Sequence, residues 1–410
     1  MTHALKLLLL ALAAVSYAVP RAPAPSVAIV GGAIVDPDVE APPRRADVLI
    51  RGDRIVAVEP RITPPRGARL VDATGKFLLP GLWDMHAHLA ALTEIGQAPE
   101  RYVGHGVLAL RDCGGFLDQL LALRRSIAAG LRTGPELLLA GPTLNGEQFA
   151  PFQRVVRDDA EARAAVRELA AAGVDFIKTH RATSREAFFA LLDEARRHEL
   201  HVAGHVPLEV SWIEAAEAGM RSMEHAQTLA ENEMSSSRPP AADVEAAIAR
   251  IDGERGDTIF AALARTGAML DPTLVAYEES IDDRPEIEAR RREAYGHFKS
   301  YVGRAHRAGV TILAGTDVLE RHGEMLLVEL ERLVEVGLSP REALAAATTH
   351  PSRLMRRPDL GRIAPGATAS LLVVDADPTA DVRHLRRLAA VVLRGRLIER
   401  EEVGRLRAAS

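Results

Sequence analysis

The amino-acid sequence predicts an α/β fold: a (β/α)8 TIM barrel with a small β-sandwich domain assembled from both ends of the chain. Three observations carry that prediction. The chain has 410 residues, 47% hydrophobic and 26% charged, enough apolar material for one large core and a smaller one. Its middle repeats one rhythm: a short apolar run, a polar tip, then a stretch of helical period. Its ends instead carry short β-branched runs broken by Gly and Pro, with no helix-length segment between them.

Taken in order, residues 1–18 read as a secretory signal peptide. Lys6 precedes an unbroken apolar stretch from Leu7 to Val15, and Ser16-Tyr17-Ala18 offers a small-x-small cleavage site. That stretch is shorter than the ~20 residues of a membrane-spanning helix, and Pro20, Pro23 and Pro25 follow it. The expectation is cleavage near Ala18, secretion to the periplasm and no stable membrane anchor. Cys113 is the single cysteine, so no intrachain disulfide can form.

Val27 to Val35, Ala46 to Ile50 and Arg54 to Val58, separated by Gly31-Gly32, Pro37, Pro42-Pro43 and Gly52-Asp53, read as strands of an antiparallel sheet. Ser370 to Asp375 and Ala389 to Leu393, ahead of Gly395, have the same character. Residues 19–78 and 363–404 are therefore expected to build one small β domain around an inserted segment, 79–362. Within the insert the apolar runs are Leu79 to Met85, Val107 to Arg111, Glu136 to Ala140, Asp175 to Thr179, His201 to His205, Ser222 to His225, Ala268 to Thr273 and Thr311 to Asp317. Helical stretches such as Asp158 to Ala172, Ser184 to Glu199 and Gly323 to Val336 lie between them. Gly173, Gly219, Gly309 and Gly337 supply helix stops. Eight strand-helix units match a TIM barrel in number and size. A doubly wound sheet is the alternative, but no Gly-rich phosphate turn follows the first strand.

A net charge of −5, with acids and bases interspersed, advertises neither nucleic acid nor an anionic membrane as partner. A small molecule is expected, and homo-oligomerisation is allowed.

Polar residues gather where the strands should end, at the mouth of such a barrel. His86 and His88, two apart at the end of the first strand, share a face and could meet one metal. Lys178 closes the fourth run. Lysine occurs only at positions 6, 76, 178 and 299, among 51 basic side chains, and a primary amine alone can lose its proton and take up carbon dioxide as a carbamate, which a guanidinium cannot. A plain ion-pairing lysine is the competing reading. His205 and His225 end the fifth and sixth runs, and Asp317 ends the eighth, where a buried acid needs a metal or an arginine as partner. His201, at the start of its strand, belongs at the opposite end of the barrel.

These residues and their neighbours, GLWDMHAHL, RDCGG, FIKTH, VAGHVP, SMEHA, LAGTD, GLSPREALAAAT and LGRIAPGATASLLVVDADP, resemble the amidohydrolase superfamily in its binuclear, carbamylated-lysine form, on the imidazolonepropionase-like branch that includes Xaa-Pro dipeptidases. The resemblance runs from about Val27 to Arg400. It implies two divalent ions, zinc by ligand type, with His86, His88 and Asp317 on the more buried one, His205 and His225 on the other and N6-carboxylated Lys178 bridging both. It also implies Asp317 as catalytic base and acid, acting on peptide-like amides: dipeptides or N-acyl amino acids. Cyclic amides, lactones or phosphotriesters are the alternative substrates, and a non-catalytic barrel would have lost ligands. The chain departs from the family pattern at Ala369-Ser370-Leu371-Leu372, at His350-Pro351 and at Leu327, positions on the small domain and the substrate side. Tyr102, Arg111, Asp112, Asn145, His180, Arg181, Tyr277 and His322 are the expected substrate contacts.

Overall fold

The computed structural model describes residues 26–90, 99–234, 241–280 and 285–409. The expected signal peptide lies outside them. The N-terminal runs form β1 (Ser26–Ile34), β2 (Arg44–Arg51), β3 (Arg54–Glu59), β4 (Arg69–Asp72) and β5 (Phe77–Pro80). β1 pairs antiparallel with β2, and β2 with β3. At Gly31-Gly32 the register of β1 breaks: before the break its free edge holds β4, after it β5, both parallel. Gly31 has φ 75°, and a Cβ there would stand 2.7 Å from Thr74 Oγ1, so the fork requires a residue without a side chain.

The run Leu79 to Met85 divides at Gly81. Its first residues complete β5, and its remainder becomes β6 (Leu82–Ala87). β6, β7 (Val107–Asp112) and β8 (Glu136–Leu139) make a three-stranded parallel sheet. The short strands β9 (Leu144–Asn145) and β10 (Arg154–Val155) join β11 (Ile177–Thr179), β12 (Val202–Gly204), β13 (Ser222–Glu224) and β14 (Met269–Asp271) in a six-stranded parallel sheet. Every residue of β6, β7, β11, β12 and β13 is buried, as parallel strands covered by helices must be. The expected eighth strand, Thr311 to Asp317, makes one bridge, Leu270 to Ile312, and is otherwise irregular. Its ladder is interrupted because Ala314 N donates to Ala346 O (3.0 Å) in the helix Pro340–Ala346. It still runs between the two sheets: Leu313 N donates to Leu270 O (2.8 Å), Met85 N to Ala314 O (3.0 Å) and Asp317 N to His86 O (2.8 Å). On the other flank Asp175 N donates to Leu139 O (2.8 Å).

The helices follow their caps. Asp158 accepts from Glu161 N at the start of Asp159–Ala172, which stops at left-handed Gly173. Ser184 caps Arg185–Arg197, and Ser339 with Glu342 forms a capping box on Pro340–Ala346.

The chain then returns to the first sheet as β15 (Leu371–Val374), β16 (Leu388–Leu393) and β17 (Arg396–Glu399). β15 pairs antiparallel with β5, Leu371 opposite Pro80, giving the order β17-β16-β15-β5-β1-β2-β3. Both chain ends thus share one branched eight-stranded sheet. One apolar layer of Ile29, Val48, Ile50, Leu78, Leu371, Val373 and Val392 unites them. A helix not foreseen from the sequence, Arg400–Arg407, follows and docks on Pro99–Gly104, with Arg407 Nε donating to Gly104 O (2.8 Å). No helix among the described residues is long and apolar enough to cross a membrane.

Candidate metal centre

Six side chains from five segments of the chain meet at the C-terminal ends of the parallel sheets. His86 stands near the end of β6 and Lys178 inside β11; His88, His205 and His225 follow the ends of β6, β12 and β13; Asp317 ends the eighth segment. All six line one cavity of about 240 Å³, together with Thr143, Phe152, Gln153, His180 and Gln227. Lys178 Nζ lies 3.2 Å from His86 Nε2. Asp317 Oδ1 lies 3.2 Å from His88 Nε2 and 3.6 Å from His86 Nε2, and Oδ2 lies 3.7 Å from His225 Nδ1. The rings of His205 and His225 are 4.5 Å apart, and those of His86 and His225 4.8 Å.

The backbone is bent to achieve this. His225 (φ 68°) and Asp317 (φ 53°) both adopt the left-handed conformation, which costs an ordinary residue about 1–2 kcal/mol. Each is pinned by its own amide, His225 N on Asp271 O (2.8 Å) and Asp317 N on His86 O (2.8 Å). Such strain, held by surrounding structure, concentrates at functional sites.

The site's electrostatics favour neutral His86, His205 and His225 around one carboxylate, whereas at His88 burial is outweighed by the bonded Asp317 carboxylate, which raises the imidazole above its ordinary value. Burial, then the Lys178 charge, brings the His86 pKa down to about 4. Burial and neighbouring His86 take His225 to about 3, and burial with His225, His180 and Lys178 depresses His205 as well. Burial opposes ionisation of Asp317, but His86, His88 and His225 outweigh it and hold the carboxyl well below the usual carboxylate range. Neutral imidazoles and an ionised carboxylate are the protonation states in which these groups bind a cation.

His86, His88 and Asp317 offer donor atoms within 4.8 Å of one another. The buried His205 Nδ1 has no hydrogen-bond partner among the described residues. Partners on the far side of the rings are in place: His88 Nδ1 on Gly114 O (2.7 Å) and His225 Nδ1 on Thr273 Oγ1 (2.7 Å), the outer contacts that orient metal-binding imidazoles. The donor set fits a divalent ion.

Of the expected substrate contacts, His180 alone lines the cavity, its ring 4.2 Å from that of His205. Arg181 stands aside, its guanidinium 5.3 Å above the Phe149 ring and 4.0 Å from Glu231. The others are corrected. Arg111, Asp112, Tyr102 and Asn145 have no exposed surface, and His322 is buried. Tyr102 Oη meets His322 Nδ1 (3.0 Å), Asn145 Oδ1 accepts from Ala182 N (3.0 Å), and Asp112 accepts from Leu89 N (2.7 Å) and Gly114 N (3.1 Å). Tyr277 packs edge-on against Phe298 at 4.8 Å. None of these side chains lines the cavity, although Arg111 Nη1, Asn145 Nδ2 and His322 Nε2 are buried without a hydrogen-bond partner among the described residues.

Sequence reasoning missed the layer beneath the cavity: Asp84, Glu224 and Asp271, all with no exposed surface. Asp84 accepts from His86 N (3.1 Å), Thr316 N (3.0 Å) and Thr316 Oγ1 (2.7 Å). Glu224 meets His86 Nδ1 at 3.0 Å. A signal was present: each is an acid inside an otherwise apolar strand run, in GLWDMH, SMEHA and MLDPT, and a buried acid must be paired.

A parallel α/β architecture with four imidazoles, a carboxylate and an amine at the strand ends defines a metal-dependent hydrolase of the barrel type. The sequence profile of the amidohydrolase family matches residues 77–398, and the chain belongs to that family. It is similar to imidazolonepropionase of Salinispora arenicola, 26% identical over 366 residues that cover 81% of this chain and 86% of the relative. A prolidase solved in complex with N-methylphosphonate-L-proline is 25% identical, with TM-score 0.72, covering 92% of this chain and all of the other. A Xaa-Pro dipeptidase with methionine bound in its active site shares the fold at TM-score 0.74 and 23% identity, covering 91% of this chain and all of the other. The chain is a hydrolase acting on carbon–nitrogen bonds.

Proposed function

We propose that this hydrolase cleaves peptide-like amides, dipeptides or N-acyl amino acids, and that it works after export, in the periplasm. His86, His88 and Asp317 would hold one zinc ion, His205 and His225 a second, and N6-carboxylated Lys178 would bridge them across a closed (β/α)8 ring. The observation that carries this reading is the convergence of all six side chains on one cavity of about 240 Å³. When bound, the metal pair supplies an acidified water as nucleophile and polarises the scissile carbonyl.

The chain's own residues do the rest. Asp317 is more exposed than His86, His88 and His225, with 27% of its side chain accessible, and it is ionised. It can therefore take a proton from the attacking water at a carboxylate oxygen and deliver it to the leaving nitrogen. Neutral His180 and the amides of Gln153 and Gln227, in the cavity wall, offer uncharged hydrogen bonds to a substrate. The likeness to a prolidase and a Xaa-Pro dipeptidase supports amides of amino acids as the substrate class.

The test is a panel assay of the purified chain supplied with zinc and bicarbonate. Dipeptides, including Xaa-Pro, and N-acyl amino acids are compared with cyclic amides, lactones and phosphotriesters. Turnover of the first two classes is expected. Turnover confined to the last three would overturn the substrate assignment.

A further inference from the structure

Directly beneath His86 lies a buried ionic network for which hydrolysis has no use. Glu224 Oε2 sits 3.0 Å from His86 Nδ1. Arg111 Nη2 donates to both Glu224 oxygens, at 2.9 and 3.0 Å, and to Asp271 Oδ2 at 3.2 Å. Arg111 Nε donates to Met85 O at 2.6 Å, one residue before His86. Ser222 Oγ donates to Glu224 Oε1 at 2.8 Å. Arg111, Glu224 and Asp271 have no accessible surface, and His86 has 1%. A buried guanidinium cannot be deprotonated, so the carboxylate against it stays ionised and can only accept.

We propose that the Arg111–Glu224 pair is a positioning device that fixes His86 as the Nδ1–H tautomer. The pair takes the ring's one proton at Nδ1. The Nε2 lone pair is then left facing the cavity, where Lys178 Nζ lies 3.2 Å away and Asp317 Oδ1 3.6 Å. Arg111 has a second role by position. His86, Cys113 and Glu224 form an inner group with donor atoms within 4.8 Å of one another, a trio able to hold a cation. The guanidinium bonded to Glu224 already supplies the positive charge there, so an incoming ion is directed to the Nε2 side. Lysine could not replace it, since one ammonium cannot reach Met85 O, Glu224 and Asp271 in the geometry of the fork.

Glu224→Gln separates this role from mere packing. Arg111 and Ser222 both donate toward residue 224, so the amide oxygen of glutamine must turn to them. Its NH2 then faces His86 Nδ1, which must accept, and the proton moves to Nε2. The experiment is long-range 1H–15N correlation NMR on the metal-free chain labelled at histidine, followed by zinc titration with a competing chelator. In the unaltered chain His86 is expected to show a protonated Nδ1 and an unprotonated Nε2. In Glu224→Gln the pattern is expected to reverse, with zinc affinity falling 10- to 100-fold, the usual effect of losing an outer partner. A protonated Nε2 in the unaltered chain overturns the proposal, and needs no folded variant to do so. An unchanged tautomer and affinity in folded Glu224→Gln also overturns it. The inference rests on the metal reading above, yet the two fail differently: a chain with the expected tautomer that binds no zinc would refute the metal centre and leave the tautomer lock standing.

Discussion

Gly315, in the segment that leads to Asp317, is where packing and chemistry can be perturbed together. An added Cβ would lie 2.4 and 2.6 Å from the Asp271 carboxyl oxygens and 2.8 Å from His86 Cβ. Its φ is outside the left-handed region, so alanine meets no backbone penalty and the effect is purely steric. The carboxyl would have to retreat by about 1 Å to reach an ordinary contact. The Asp271 to Arg111 bond, now 3.2 Å, would then open. Overpacking costs about 1–3 kcal/mol, and leaving a buried polar group unpaired adds about 1–3 kcal/mol. Gly315→Ala is therefore expected to lose about 2–6 kcal/mol. If the strain passes instead to His86, a misplacement of about 1 Å at a reacting centre costs on the order of 100-fold in rate. The assay is urea unfolding followed by circular dichroism, with kcat/KM on the best substrate of the panel. Gly219→Ala is the contrast: φ is 100° and nothing lies within 4 Å, so only backbone strain of about 1–2 kcal/mol applies, and activity should hold. A Gly315→Ala protein within about 0.5 kcal/mol of the parent and equally active would refute the reasoning.

Three further outcomes are expected. Lys178→Arg keeps the positive charge but cannot form a carbamate; bound zinc, counted by elemental analysis, should fall from two equivalents toward one, with activity down by more than about 100-fold. Asp317→Asn should lower kcat by about 10²–10⁴, the range for removing a proton-transfer group, measured at saturating substrate. Glu329 is fully buried and accepts from Leu274 N and Val275 N; burial pushes its pKa up from 4.5 to about 8. The folded chain thus holds a proton that the unfolded chain releases near 4.5, so the stability from this group is complete below that pH and fades as pH climbs to about 8. Glu329→Gln should flatten that decline in a plot of urea midpoint against pH, and an unchanged slope would count against the shift.

Much of this architecture could be read from letters, because the physics behind it is local. Seven of the eight apolar runs of the insert contain a strand, since a short apolar run between helix caps has few other fates. The stretches from Asp158 and from Ser184 could be read as helices by their period, and each opens on a side chain that caps its first turn. The eighth run escaped regular pairing because Ala314 turns its amide to a helix, Pro340–Ala346, a partner far along the chain. The six cavity residues could be read as donor types at strand ends. The left-handed turns at His225 and Asp317 could not: His and Asp enter that region more often than most residues but still seldom, and the carbonyls that hold them there, Asp271 O and His86 O, come from distant parts of the chain. Arg111 was misread for a related reason. At the end of a strand an arginine looks available to ligand, and only the acids brought to it by β13 and β14 turn it inward. Glu224 and Asp271 supply that context from 113 and 160 residues away.

The branched sheet shared by both chain ends imposes an order on biosynthesis. β5 has a neighbour on one side from the N-terminal strands, but its other edge waits for β15, and Pro80 pairs with Leu371. At a synthesis rate of about 5–20 residues per second, that apolar edge is unpaired for roughly 15–60 s while the barrel segment emerges. An open β edge of the sequence Phe-Leu-Leu-Pro is a site for illegitimate pairing between nascent chains. The last strands therefore act as a closing seal, and truncation from the C-terminal side should produce aggregates rather than a smaller working enzyme.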